Sequence, residues 1–330
     1  MARHPSHRMQ QFGLVVGAVA LAASLGVTPA SGVEPSDDEP VPAPIEIVEL
    51  ELGEIRETVG PRVSPAYRGS GDNTVASTDE PSPLAGRPEA LGGLGTAFES
   101  VIGADGRIQQ TVTTEYPHRA IGQLEIVEDG SLYYCTGWMI DRNSILTAAH
   151  CAYNVDGGTN DPIESATFTP GRNGSGVRPY SYCWVNGMYA PYGWRANEEM
   201  THDWAVMHLN CNVGDTVGWF GLFSLPGTNR FAGSRGRVQG YPTDKPLGTQ
   251  WKMAGDMHHS TDRQVFYPMD TFGGQSGAPV FKWNRPSCGG PCGLGIHTYG
   301  VGGDTPTLNR GTRLTASVFD KIIQVRAQNG

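Results

Sequence analysis

From about residue 100 onward the chain is a succession of short β-prone runs separated by clusters of Gly, Pro, Asn and Asp. The runs "AIGQLEIV", "LYYCTGWMI", "SILTAAH", "WAVMHL", "RVQGY", "QVFYPMD", "APVFKW" and "GLGIHTYG" are each of strand length. Runs of that length and spacing build antiparallel sandwiches or barrels. Helical spacing is convincing only near the C-terminal end. In "TASVFDKIIQVRA", Val318, Phe319, Ile322, Ile323 and Val325 fall near that spacing, with Ser317 placed to cap the start. The fold class is therefore all-β with a C-terminal α-helix, and 330 residues leave room for one or two ordinary domains.

The first hundred residues have a different texture. Arg3 and Arg8 precede an apolar stretch, "LVVGAVALAASLGV" (residues 14–27), and small residues follow in "TPA". That layout is a secretory signal peptide over residues 1–30, and the stretch is short for a spanning helix. Residues 31–99 are rich in Pro, Glu, Asp, Ser and Gly, and carry fourteen acidic side chains against four arginines. Such a composition favours a largely irregular segment. Within it, "IEIVELEL" (residues 45–52) alternates apolar and acidic residues as a half-buried strand does. A strand with no local partner suits an acidic propeptide that docks on its own precursor. The whole-chain charge of −9 belongs to this segment, since residues 100–330 carry eighteen Lys/Arg against nineteen Asp/Glu. A near-neutral body argues against a nucleic-acid partner. No later stretch is long or apolar enough to cross a bilayer, so the expectation is a secreted, extracellular protein without membrane contact after signal removal.

All six cysteines fall after residue 130. In an exported chain an even number implies disulfides, and sequence proximity favours Cys135–Cys151, Cys183–Cys211 and Cys288–Cys292 among the possible connectivities. No paired C-x-x-C spacing with nearby His points to zinc. His258 and His259 read as an exposed loop pair, and no local acidic cluster indicates calcium. Neither a metal nor another cofactor is expected.

A serine hydroxyl becomes a useful nucleophile only when a base accepts its proton, and a buried carboxylate best orients that base. The oxyanion that develops needs backbone N–H donors able to approach closely. Ser276 lies in "GGQSGAP", where Gly273, Gly274 and Gly277 allow a tight turn and the N–H groups of Gly274 and Ser276 can form an oxyanion hole. Ala278 stands where the α/β-hydrolase elbow has its second glycine, so this is not that elbow. His150 ends an apolar run in "SILTAAHCAY", beside a cysteine able to tie the turn back to Cys135. Asp203 precedes an alternating strand in "THDWAVMHL", and its neighbour His202 is the weaker base candidate.

Together, in the order His, Asp, Ser, these motifs resemble those of the chymotrypsin-fold serine peptidases. The stretch from "SVIGADGR" (residues 100–107) to the terminal helix is similar, more narrowly, to the secreted bacterial glutamyl endopeptidases, the V8-like branch. The shared strings are "YPHRAIG", "CTGWMI", "FTPGRNG", "GYP.DK..GTQW", "MDT.GGQSG.PVF", "IHT.GV" and "NRGTR", with dots at positions expected to vary. The resemblance implies two six-stranded antiparallel β-barrels, over residues 100–220 and 221–312, with the helix over 313–330 and the active site between the barrels. It implies that His150 takes the Ser276 proton, that Asp203 stabilises the imidazolium, and that an acyl-enzyme forms and is hydrolysed. Thr298 and Gly300 fall where the family pairs its backbone with an extended substrate. The Cys183/Cys211 pair goes beyond the two bridges that the resemblance implies. The expected partners are protein or peptide substrates and the chain's own propeptide, and the expected state is a monomer.

Substrate choice has competing readings. In trypsin-like members the residue six before the nucleophile is an aspartate that pairs with substrate Arg or Lys, and here that residue is Asp270. The glutamyl branch instead has Thr or Ser five before the nucleophile and a His in the "HT" string, matched by Thr271 and His297. A hydroxyl and an imidazole donate hydrogen bonds to a substrate carboxylate, which a pocket aspartate would repel. Phe272 replaces the cysteine of the trypsin-like pocket disulfide, and Gln275 replaces the aspartate that receives a new N-terminal amine there. A mature start at Ser100, directly after Glu99, lets a glutamate-specific enzyme release itself. Its new α-amino group then supplies positive charge near the pocket. The expectation is cleavage after Glu, less well after Asp, with Asp270 bonded outside the pocket. A trypsin-like protease using Asp270 is the second reading, and a non-catalytic secreted binding module on the same fold is the third.

Overall fold

The hairpin of Ile121–Glu128 and Ser131–Met139 shows how local sequence fixes the first sheet. Asp129 and Gly130 both take left-handed backbone, φ 47° and 68°. A two-residue type I′ turn needs that pair of angles, and Asp-Gly supplies it. The register then runs from Glu128 opposite Ser131 to Ile121 opposite Trp138. The computed structural model describes residues 44–49, 60–72, 82–84, 86–89, 100–154, 161–302 and 305–328. The expected signal peptide, much of the acidic segment and Glu99 lie outside these residues.

The hairpin continues through Ser144–Thr147, Ala205–Leu209 and Cys183–Tyr189 on one side and Ser165–Pro170 on the other. Cys183 opposite Phe168 and Trp184 opposite Thr167 close these six antiparallel strands into a barrel. Its interior holds Leu124, Ile145, Phe168, Met188 and Met207, all fully buried, while Trp138 points the other way onto Gly293 of the second sheet. Each such side chain removed from water contributes roughly 1.5–3 kcal/mol.

The second sheet runs Gln264–Tyr267, Asn309–Arg313, Gly290–Tyr299, Pro279–Arg285, Arg235–Gly240, Gln250–Asp256, again antiparallel throughout. It curls around Phe223, Val238, Val265, Tyr267, Val280 and Leu294. No ladder joins its two ends among the described strands. The free edge of Gln250–Asp256 is taken instead by Ile108–Gln110, paired from Gln110 opposite Gln250 to Ile108 opposite Lys252. One barrel is thus fully closed, and the other is a curled sheet of the same six-strand plan.

Buried hydrogen bonds tie the two halves together. Gln239 Nε2 donates to Gln250 Oε1 at 2.6 Å, Gln250 Nε2 to Tyr241 Oη at 3.0 Å, and Tyr241 Oη to the Arg172 carbonyl at 3.2 Å. Disulfides join Cys135 to Cys151, Cys183 to Cys211 and Cys288 to Cys292.

The helix Ala316–Ala327 buries Val318, Phe319, Ile322 and Val325. Its cap is Thr315 rather than the expected Ser317: Thr315 Oγ1 accepts the Val318 N–H at 3.2 Å. The helix starts earlier than the apolar stripe suggests, so Ser317 falls inside the first turn, where its hydroxyl meets that of Thr315 at 3.1 Å.

Two N-terminal segments add strands to this body. Glu46–Ile47 pairs in parallel with Gly187 and Met188. Arg62–Ser64 pairs antiparallel with Leu222, Phe223 and Ser224, and Arg62 forms an ion pair with Asp320 of the helix at 2.9 Å.

Candidate active site

His150 sits in the 3-10 turn Ala149–Cys151, which follows the strand Ser144–Thr147, and the Cys151–Cys135 bond ties that turn to the neighbouring strand. Asp203 lies between the turn Met200–His202 and the strand Ala205–Leu209, which is hydrogen-bonded to Ser144–Thr147. Adjacent strands therefore deliver the two side chains to one end of the barrel. Asp203 is fully buried, and its carboxylate accepts twice from His150: the backbone N–H at 3.0 Å and Nδ1 at 2.7 Å. The second contact places the proton on Nδ1 and leaves Nε2 as the acceptor. The rings of Trp194 and Tyr299 each lie 6.2 Å from that of His150. Burial, with the Asp203 charge beside it, holds the Tyr299 phenol far above its ordinary pKa, so it stays protonated.

The serine loop is bound from both halves. The Ser276 carbonyl accepts from Thr136 N at 2.8 Å, the Gly274 carbonyl from Thr136 Oγ1 at 2.8 Å, and the Gly273 carbonyl from Thr243 N at 2.7 Å. Gly277 N donates to the His297 carbonyl at 2.8 Å. Gly274 and Gly277 have φ of +92° and +86°, and a Cβ on Gly277 would collide with Thr147 Oγ1 and the Thr136 carbonyl. Only glycine lets the loop nest there. Because Thr147 feeds directly into the His150 turn, that close approach brings Ser276 to the same end of the barrel as His150. Ser276 is 8% exposed.

Behind the serine, Thr271, His297 and Thr298 are fully buried. The hydroxyls of Thr271 and Thr298 have no hydrogen-bond partner among the described residues. His297 Nδ1 bonds Tyr267 Oη at 2.6 Å. Burial, with the charge of His150 in addition, pushes the His297 pKa down to about 3, so the imidazole is neutral at neutral pH. Gly300 directly follows the strand that carries His297 and Thr298.

Ser100 comes to the same place. Its carbonyl accepts from Thr271 N at 3.2 Å and from Asn309 Nδ2 at 2.7 Å, and its own N–H donates to Asn309 Oδ1 at 3.2 Å. Asp270, 2% exposed, accepts from Ile102 N and Gly106 N, each at 2.7 Å. Its carboxylate thus faces the segment that carries Ser100. His202 bonds Glu199 at 2.7 Å.

Tyr267, Asn309 and Trp194 escape sequence reasoning. Asn309 opens "NRGTR" and Tyr267 sits in "QVFYPMD", but neither string indicates what the side chain meets.

A family profile described as Trypsin matches residues 108–318. The glutamyl endopeptidase of Bacillus licheniformis is 36% identical over 323 residues, spanning 94% of this chain and 95% of that protein. The extracellular metalloprotease of Bacillus subtilis is 34% identical over 264 residues, 79% of each chain. A solved Glu endopeptidase structure is 29% identical with a TM-score of 0.59, and covers 69% of this chain and 99% of its own. Among the described residues the one group of three metal-capable side chains is Cys135, His150 and Cys151, and its two cysteines are bonded to each other.

Proposed function

The chain belongs to the trypsin family of serine endopeptidases, and on that footing we propose that it cuts peptide bonds on the carboxyl side of glutamate, and of aspartate less well. His150, Asp203 and Ser276 carry the reaction. Ser276 Oγ attacks the scissile carbonyl while His150 Nε2 takes its proton, and Asp203, already bonded to Nδ1, stabilises the imidazolium. The N–H groups of Gly274 and Ser276 receive the oxyanion. His150 then returns the proton to the leaving amine, and water hydrolyses the acyl-enzyme by the same steps. Thr298 and Gly300 pair with the substrate backbone. No step calls for a cofactor.

The observation that carries the specificity is the engagement of Asp270. With both oxygens occupied by Ile102 and Gly106 amides, it is turned away from any substrate Arg or Lys. The residues that this reading gives to the pocket are Thr271, whose hydroxyl has no hydrogen-bond partner among the described residues, and His297, whose imidazole is neutral. Both can donate to a carboxylate, yet neither brings charge. The missing charge comes from Ser100: cleavage after Glu99 turns its N–H, beside Asn309 and Thr271, into an ammonium group. The protein is on this reading an exported zymogen, with residues 31–99 as its propeptide.

The test compares otherwise identical chromogenic peptides ending in Glu, Asp or Arg, on mature enzyme with a free or an acetylated Ser100 amine. Glu is expected to be preferred by at least about a hundredfold over Arg, and acetylation to cost about tenfold or more in kcat/KM on Glu alone. Equal rates on Arg, or indifference to acetylation, would count against the pocket reading.

A further inference from the structure

The residue before the nucleophile is Gln275, whose uncharged amide cannot receive a new N-terminal amine as a salt bridge. The turn it belongs to still needs an anchor, since residues 272–276 present the N–H groups aimed at the oxyanion. The structure shows what grips it. Arg107, seven residues beyond Ser100, has a fully buried side chain. Its Nε and Nη2 each donate to Asp105 at 2.9 Å, and its Nη1 donates to Asp244 Oδ1 at 3.0 Å, with a further contact from Nη2 to Asp244 Oδ2. Burial works against its charge, but the two carboxylates more than offset that, so the guanidinium is held ionised. Nη1 also reaches Gln275 Oε1 at 3.3 Å. That same oxygen accepts the Phe272 N–H at 3.1 Å, while Gln275 N donates to the Phe272 carbonyl at 3.0 Å. One side-chain oxygen therefore ties Arg107 to both ends of the turn from Phe272 to Gln275.

We propose that Arg107 is a positioning residue for the reaction: acting through Gln275 Oε1, it fixes the 272–276 turn so that the Gly274 and Ser276 N–H groups point at the oxyanion. A permanently charged side chain inside the body thereby holds the loop whose counterpart in the trypsin-like members receives a chain-terminal amine. The Asp105 and Asp244 carboxylates hold the planar fork rigid, so its remaining hydrogen is aimed rather than mobile. Asp270 adds a second tie two residues before Phe272, to Ile102 and Gly106. The stretch between residues 100 and 107 thus braces the whole 270–276 loop.

The proposal rests on the serine-protease reading but not on the choice of glutamate, and the test separates the two. A small fluorophosphonate carries no glutamate side chain, so its rate of reaction with Ser276 reports the nucleophile and oxyanion site alone. Gln275→Met removes the shared acceptor and leaves Arg107 with both its carboxylates. It is expected to slow fluorophosphonate inactivation about tenfold to a hundredfold, and kcat on the preferred peptide by a similar factor with KM nearly unchanged. That loss is of the size seen when oxyanion donors are misplaced or removed. Gln275→Glu, which offers a carboxylate in the same place, is expected to stay within about threefold of the parent. Arg107→Met should resemble Gln275→Met, and the double variant should be no worse than either, because both act through one contact. Wild-type inactivation by Gln275→Met, or additive losses in the double variant, would overturn the proposal. If Arg107→Met fails to fold, the Gln275 pair decides alone. Ready fluorophosphonate inactivation of the parent combined with its poor Glu cleavage would instead indict the pocket reading, whatever the variants do.

Discussion

If His297 lines the pocket as proposed, a single hydrogen bond decides which of its ring nitrogens would meet the substrate. Tyr267 Oη lies 2.6 Å from His297 Nδ1, and an imidazole kept neutral by burial can carry only one proton. When the phenol donates to Nδ1, the imidazole proton sits on Nε2, the donor that the proposed contact with a substrate carboxylate requires. Tyr267→Phe removes that instruction without changing the shape of the pocket. Its expected effect is a fall of roughly tenfold in kcat/KM on Glu peptides, about the worth of one buried hydrogen bond, with fluorophosphonate inactivation unchanged. Stopped-assay kinetics on the two probes check it, and a parallel fall in both would assign Tyr267 to general folding instead. His150, Asp203 and Ser276 are legible in the sequence because each sits in a short string with its own local chemistry. Tyr267, Arg107 and Asn309 are not, since each acts on a partner that only the fold supplies, 30, 168 and 209 residues away in the chain.

Elements were legible to the extent that alternation or turn chemistry was local. The Asp129-Gly130 turn and the apolar runs around it translate directly into the first hairpin. The strand Arg62–Ser64 does not. It is only three residues long, stands between Pro61 and Pro65, and exists because Gly221–Ser224 offers an edge. The helix start was misplaced for a related reason: an apolar stripe marks the buried face, whereas the cap depends on which hydroxyl reaches a free N–H. Thr315→Ala should therefore cost about 1 kcal/mol in unfolding free energy, and Ser317→Ala less than half of that. Urea denaturation measures both, and a larger loss at Ser317 would return the cap to it.

For the whole molecule, three buried histidines set an acid limit. Burial pushes His118 and His208 down to about 4 and His297 to about 3, with the charges of Lys252 and Arg237 adding to the effect on His118. In the unfolded chain these imidazoles take up protons below about pH 6.5, while in the folded protein they stay neutral until near pH 4. Across that window the unfolded state binds more protons, so stability falls as pH drops, by on the order of 3 kcal/mol per histidine at the low end. Tm at pH 4.5 is expected to lie roughly 10 °C or more below that at pH 7, and His208→Gln should narrow the gap. A flat Tm over this range would show the histidines to be hydrated in the folded state. The ion pair between Arg62 and Asp320 has a consequence of another kind. It joins side chains 258 residues apart in sequence. Closing a loop of that span is slow, and contacts of high sequence separation form late in folding. In a chain delivered N-terminus first, the strand Arg62–Ser64 can pair once Gly221–Ser224 has appeared, but Arg62 waits for Asp320 until the terminal helix has arrived, so the last tie on this early segment is clocked by the release of the far end.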